Sequence, residues 1–351
     1  MANANLTSNE PPEFIPQNDE GEGAPPPAAK KQGGGVDKTE ASAEEDARAA
    51  KMARITKVKF LDLRSALESD PPVFDFVLPA LKQGSCGAIV ATGGVGKTML
   101  ALQLAITVSS GHDLLQLELL NWTCKTGKVV FFSGEDDLEV LQKRVHTMGE
   151  HMPPAQREIM YQNLEVASLV GLMSKIDDFD WLQFFSDRTK GARLVVFDTL
   201  RRFHNRDEND NGEMSELLGH LEALCLEHNT TIIFLHHTNK GTGAEVTQHA
   251  SRGASALTDN VRWQVNLATM SEDEAKTAMD GTIICATERA WYVKLIFAKI
   301  NYSAPINDIW FKKQNGGALK KVTVKIAPKK EKQNNISQPA KRTPARSEFN
   351  T

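Results

Sequence analysis

Short apolar runs recur through the middle of the chain: Cys86 to Val90, Val129 to Phe132, Leu194 to Phe197 and Ile232 to Leu235. Each ends in small, polar or charged residues and leads into a stretch with helical spacing. Unbroken runs of this length fit strands buried on both faces. The pattern predicts strands near 86–91, 128–133, 194–198 and 231–236, with helices near 97–110, 137–149, 176–190 and 213–228. Strand and helix alternating in this way mean a parallel sheet covered on both sides. Beyond residue 260 the rhythm changes. Strand-like runs follow near 261–269, 282–287, 291–299 and 306–313, with a short acidic helix from Ser271 to Met279. Ser271 followed by Glu272 and Glu274 makes a favourable helix start. These later strands are expected to extend the same sheet. The fold class is α/β: a mostly parallel, doubly covered sheet with additional C-terminal strands.

The flanks read differently. Residues 1–54 are rich in Pro, Gly, Ala, Glu and Lys, and hold too few large apolar residues to offset the entropy of ordering. The end of the chain, 328–351, is polar and basic. Both are expected to be disordered, around one domain spanning 55–327. The tail is either a plain solvated segment or a weak nucleic-acid contact.

Composition adds limits. With 351 residues, 40% hydrophobic and 25% charged, the chain can bury a substantial core. A net charge of −4 carries no global nucleic-acid signature. Cys86, Cys124, Cys225 and Cys285 are scattered, with no metal or redox spacing. No run approaches the roughly 20 apolar residues of a membrane span. The first residues lack a basic-then-apolar leader. The expectation is a cytoplasmic protein with reduced thiols and no membrane partner.

Chemistry enters between the first strand and the first helix, at Ala91-Thr92-Gly93-Gly94-Val95-Gly96-Lys97-Thr98-Met99. Glycines let backbone N–H groups turn inward around a polyphosphate, and the helix N-terminus adds positive potential. Lys97 brings a full charge and Thr98 a hydroxyl for Mg²⁺. This is a P-loop with one departure, Ala91 in place of the usual first glycine. Residues 92–99 are the expected cofactor-binding segment, for ATP with Mg²⁺.

Ligands of such folds bind beyond the carboxyl ends of the strands. The other strand ends carry Ser133-Gly134-Glu135-Asp136, Asp198-Thr199 and His236-His237-Thr238. Asp198 closes an apolar strand, where a carboxylate helps to hold Mg²⁺; a plain helix cap is the bland alternative. Glu135 is the candidate base for an attacking water, with Asp136 as competitor or helix cap. His236 and His237 must point to opposite sides of a strand, so one faces the site and the other packs. The following polar loop, 239–250, holds two glycines and Lys240, and suits a polymer grip. Arg201 and Arg202, and then Arg252 and Arg262, are candidate contacts to a transferring phosphoryl group.

Taken together, these blocks resemble the RecA-like hexameric replicative helicases of the plasmid RepA type, carried by broad-host-range mobilisable plasmids. The resemblance covers roughly Val73 to Lys321. It rests on GGVGKTMLALQLA from Gly93, GED from Gly134, FDTLRRFH from Phe197, FLHHTNKG from Phe234, SRGASALTDNVRW from Ser251 and KINYSAP from Lys299. It implies that Lys97 and Thr98 bind phosphates and Mg²⁺ with help from Asp198, and that Glu135 is the base. It further implies His237 as γ-phosphate sensor and Arg262 as a finger supplied to a neighbouring copy, leaving Arg252 structural. Arg144 and Tyr302 resemble positions tied to coupling or DNA contact. The resemblance also implies a homohexamer with ATP between subunits and single-stranded DNA threaded past loop 239–250, with a plasmid initiator or primase as candidate partner.

Two rival readings compete. A RecA-like ATPase could act as a regulator or DNA-binding adaptor without unwinding. A nucleotide kinase would want an arginine-rich lid, and the close cluster Arg201, Arg202 and Arg206 follows the Asp198 strand directly instead of forming an insertion.

Overall fold

The computed structural model describes residues 58–117, 122–150, 152–237, 260–278 and 287–326, together with 45, 48, 49, 52, 55, 56 and 257. Loop 239–250, Arg252, Cys285, the predicted strand at 282–287 save its last residue, the tail and most of 1–54 lie outside them. The chain divides into two units, 1–71 and 72–351. In the first, Asp62 accepts from the Arg64 and Ser65 amides and starts α1 (Leu63–Glu68), none of whose residues is buried.

The second unit opens with β1 (Phe76–Leu78) and β2 (Leu81–Lys82), a small antiparallel pair. Then follow β3 (Cys86–Ala91), α2 (Lys97–Ser110), β4 (Lys128–Ser133), α3 (Leu138–Gly149), α4 (Pro154–Asn163) and β5 (Leu164–Ser168). Next come α5 (Phe179–Thr189), β6 (Ala192–Asp198), a 3₁₀ turn (Leu200–Phe203), α6 (Asn211–His228) and β7 (Thr231–His237). The last part holds β8 (Trp263–Thr269), α7 (Glu272–Thr277), β9 (Tyr292–Ile300), β10 (Ile309–Lys313) and β11 (Leu319–Val322).

One nine-stranded sheet has the order β11-β10-β9-β8-β3-β7-β6-β4-β5. From β8 to β5 the pairings are parallel; from β8 through β9 and β10 to β11 they are antiparallel. The C-terminal strands therefore extend the central sheet, and the expected α/β architecture, a mostly parallel, doubly covered sheet with additional C-terminal strands, is the one found.

Two apolar layers cover the sheet, and successive strand residues feed them alternately, as the two-residue period requires. Ile89, Val129, Phe131, Leu194, Val196, Ile233 and Leu235 pack with Leu100, Leu104, Leu141 and Met160 of α2, α3 and α4. Ala88, Val90, Val130, Phe132, Val195, Phe197, Ile232 and Phe234 pack with Phe185, Leu217 and Leu221 of α5 and α6.

Helix starts follow their caps more closely than their apolar spacing. Asp178 accepts from the Asp180 and Trp181 amides, so α5 begins at Phe179, later than the predicted 176. Asp210 accepts from the Gly212 and Glu213 amides, so α6 begins at Asn211, before the predicted 213. Among the described residues no helix is long and apolar enough to cross a membrane.

Candidate active site

The sheet order brings the chemistry together. β7 lies between β3 and β6, and β4 lies beyond β6. Register sets Ala91 beside His237 and Ser133 beside Asp198. The segment after β3 turns through Gly94 at φ +77° and Gly96 at φ +119°, which side chains with a Cβ rarely adopt. Ala91, by contrast, sits in the strand with its methyl in the core, so the departure from the usual glycine fits without rearrangement.

Lys97 is only 5% exposed. Its Nζ donates to the Ala91 carbonyl at 2.9 Å and the Thr92 carbonyl at 3.1 Å, and lies 3.0 Å from His237 Nδ1. Burial lowers its pKa to about 8, against the pull of Asp198 and Glu135. The ammonium is thus stripped of water and held by carbonyls, ready for a stronger anionic partner.

Glu135, just past β4, accepts from the Thr199 hydroxyl at 3.0 Å. His237 Nε2 lies 3.8 Å away, as does Arg202 Nε. His237 chiefly holds the Glu135 pKa below its usual value, with the Thr199 hydroxyl assisting against burial. Glu135 is therefore an ionised carboxylate at neutral pH, facing the loop that carries Lys97.

Asp136 does not cap the next helix. That role falls to Asp137, which accepts from the Val140 amide. Asp136 instead forms a two-pronged pair with Arg144, at 2.6 and 3.2 Å. Burial still raises its pKa despite that partner.

Asp198 is fully buried. It is not a helix cap either, since Thr199 takes the position before the 3₁₀ turn. Among the described residues neither carboxylate oxygen has a hydrogen-bond partner. Burial lifts its pKa from 3.8 to about 7. The Thr98 hydroxyl lies close enough to favour the charged form in part, though outside hydrogen-bond geometry. A buried carboxylate left without partners needs a cation or a proton. An adjacent hydroxyl and carboxylate fit Mg²⁺, which takes few protein oxygens and completes its shell with water and phosphate. Among the described residues no cluster of three His, Cys, Asp or Glu side chains offers an all-protein metal cage.

The two histidines separate as their alternation demands. His237 faces Lys97 and is half exposed; His236 is buried on the other face, near Glu208 at 4.0 Å, and burial lowers its pKa to about 4. His237 continues the face of Ile233 and Leu235, the layer shared with the helix that carries Lys97.

The resulting cavity, about 410 Å³, is lined by Gly94, Lys97, Thr98, Glu135, Arg144 and His237, among others. Sequence reasoning missed one wall. Gly316 and Gly317, in the turn between β10 and β11, also line it. Lys313 of β10 donates to the Gly94 carbonyl at 3.2 Å. Gln103 of α2 ties the same hairpin down, exchanging hydrogen bonds with the Leu319 amide and carbonyl at 2.8 and 2.9 Å. Only the glycine pair Gly316-Gly317 hinted at a tight turn here.

Arg262 is not in its own chain's site. It is exposed just before β8, whose Trp263 pairs with Gly87 near the amino end of β3. Tyr302 lies at that same end. The neighbouring Asn301 amide donates to the Arg262 carbonyl, and the Tyr302 ring packs edge-on to Phe74 at 5.7 Å.

Among solved structures, the ATPase domain of another protein aligns with a TM-score of 0.49 at 13% identity, over 83% of this chain and all of that one. Residues 52–243 match the AAA domain family. That match takes in the P-loop, Glu135, Asp198 and His237 and spans more than half of the length, so the chain belongs to the AAA domain family.

Proposed function

We propose that this chain is an ATP-driven DNA helicase of the plasmid replicative type. It hydrolyses ATP between the subunits of a ring, a hexamer by resemblance, moves along single-stranded DNA and unwinds duplex. One observation carries the reading. Lys97, Thr98, Glu135, Asp198 and His237 converge at the carboxyl ends of the sheet, while Arg262 stands exposed near the amino ends, away from its own chain's site, which suits a residue offered to another copy. Contacts between unlike surfaces of identical chains close into a ring when the rotation between copies closes, and run into a helical filament when it does not.

In this reading the P-loop amides and Lys97 hold the phosphates of ATP. Thr98 and Asp198 are the residues to hold Mg²⁺, which when bound supplies charge neutralisation at the phosphates. Glu135, ionised and steadied by Thr199, orients the attacking water and accepts its proton. His237, touching both Lys97 and Glu135, senses the terminal phosphate and passes its loss to the chain that follows β7. Arg262 of one copy stabilises the transferring phosphoryl group in the next.

The test is a strand-displacement assay on a forked duplex, run with ATP turnover and particle size with and without an ATP analogue. Unwinding that stops in Lys97→Ala and Arg262→Ala is expected. DNA-stimulated turnover without displacement would replace the helicase by a DNA-binding ATPase adaptor.

A further inference from the structure

A second cleft, about 390 Å³, adjoins the first. The two share Glu135, Thr199 and His237 as a common wall, and the far side is lined by Lys175, Arg201, Arg202 and Asn205. Of the arginines that follow β6, Arg206 is consumed by structure. It pairs with Asp177 at 2.8 Å and Glu216 at 2.6 Å. Arg201 and Lys175 have no such partner. Among the described residues neither has a carboxylate within ion-pair distance; Lys175 Nζ donates to the Arg202 and His204 carbonyls, and Arg201 to the His204 carbonyl. Arg202 reaches a carboxylate only at the limit of contact, Glu135 at 3.8 Å.

The backbone that carries the cations is fixed before any ligand arrives. Phe203 is in the core and its carbonyl accepts from the Ile176 amide, which locks the 3₁₀ turn to the segment carrying Lys175. A Cβ at Gly134 would meet the Arg202 Cβ at 2.5 Å, so the glycine before Glu135 is what admits the arginine. His204 and His236 add no positive charge, because burial lowers both to about 4. Against three cations stand Glu135 in the shared wall and Glu208, so the cleft has one cation in excess of its carboxylates.

We propose that this cleft is a phosphate-binding site, in which Lys175, Arg201 and Arg202 receive one phosphate group and Arg202 reports its arrival to Glu135. An incoming oxyanion competes with Glu135 for the Arg202 guanidinium, whose fork matches phosphate as it matches carboxylate and meets Glu135 only at 3.8 Å. Occupancy thus changes what holds Glu135. This last step rests on the hydrolytic reading of Glu135; the site itself rests on charge and geometry alone. The phosphate has two sources. It is either the ion released by hydrolysis next door, leaving past the shared wall, or a phosphodiester of a nucleic-acid strand presented from outside.

The experiment uses the full chain and two probes: inorganic phosphate by calorimetric titration, and fluorescein-labelled dT20 by anisotropy. Each is measured on wild type, Arg201→Ala/Arg202→Ala and Arg202→Lys, with thermal melts to confirm folding. The double variant is expected to weaken one probe by about tenfold or more. Loss of phosphate binding identifies the released ion as the source. Loss of dT20 binding, with a salt slope shallower by about one to two, identifies the strand. Arg202→Lys, which keeps the charge, is expected to recover part of the loss and serves as the folded test if the double variant melts early. If wild type binds neither probe, or the variants bind both with wild-type midpoints, the proposal is overturned. The link to Glu135 is read separately, as the ratio of ATP turnover with and without the bound probe. Arg202→Ala should bring that ratio toward one, and an unchanged ratio refutes the link. A wild type that turns over no ATP refutes the hydrolytic reading and leaves the two titrations to decide the site.

Discussion

Arg193 and Asp198 belong to the same strand, β6, and their surroundings treat them in opposite ways. At the amino end, Arg193 grips Asp75 with both nitrogens, at 2.8 and 2.9 Å, and also donates to Gln83 Oε1. That fork lowers the Asp75 pKa to about 2. Nearby, the Trp263 ring nitrogen donates to the Pro79 carbonyl, and Gln83 donates to the Asn229 carbonyl. At the carboxyl end, Asp198 has no hydrogen-bond partner among the described residues and Lys97 leans on carbonyls. One end of the sheet is closed by its own ion pairs and the other is left electrostatically open. Structures keep such costly groups where a ligand completes them.

The sharpest way to break this contrast is at Lys97. Lys97→Ala is expected to cut ATP turnover by about a hundredfold or more. A phosphate-release assay that finds wild-type turnover would mean the open end is not a phosphate site.

Next in size is the pH response, where the two ends should differ in sign. Asp198 is raised from 3.8 to about 7, so metal-free protein should lose stability as pH climbs from about 4 to about 7, by roughly a few kcal/mol. Asp75 is lowered to about 2, so its contribution is present above about pH 4 and lost as pH falls toward 2. Urea midpoints across pH should show Asp198→Asn flattening the first dependence and Asp75→Asn the second. Asp198→Asn should also melt above wild type without metal while losing turnover. Equal pH curves for wild type and Asp198→Asn would remove the idea of an uncompensated carboxylate.

Arg193→Leu tests the closed end. It leaves Asp75 short of its fork and should cost about 2–3 kcal/mol in stability, with turnover per folded molecule preserved. The smallest expected effect is Gln103→Leu. It removes the two hydrogen bonds that tie the hairpin to α2, for about 1–2 kcal/mol by chemical denaturation.

The central strands were legible because each is an apolar run buried on both faces. The edges were not. β5 reads Leu164-Glu165-Val166-Ala167-Ser168, half-buried, and β11 reads Leu319-Lys320-Lys321-Val322. A strand covered on one side carries too few apolar residues to stand out from a loop. α4 was missed for a similar reason, since only Met160 of its residues is buried.

By itself, then, the sequence determined the local chemistry: a P-loop between strand and helix, a carboxylate or histidine at the ends of β4, β6 and β7, and a period of two that assigns His237 to one face and His236 to the other. Only the tertiary structure decided which of these residues meet. Strand order is a choice among nonlocal pairings that leaves no mark on local pattern. It is the order β4-β6-β7-β3 that brings His237 to Lys97 and Thr199 to Glu135. It also leaves Asp198 without a partner, sends Arg262 to the far end of the sheet, and packs Arg202 against Gly134 beside the carboxylate it is proposed to govern.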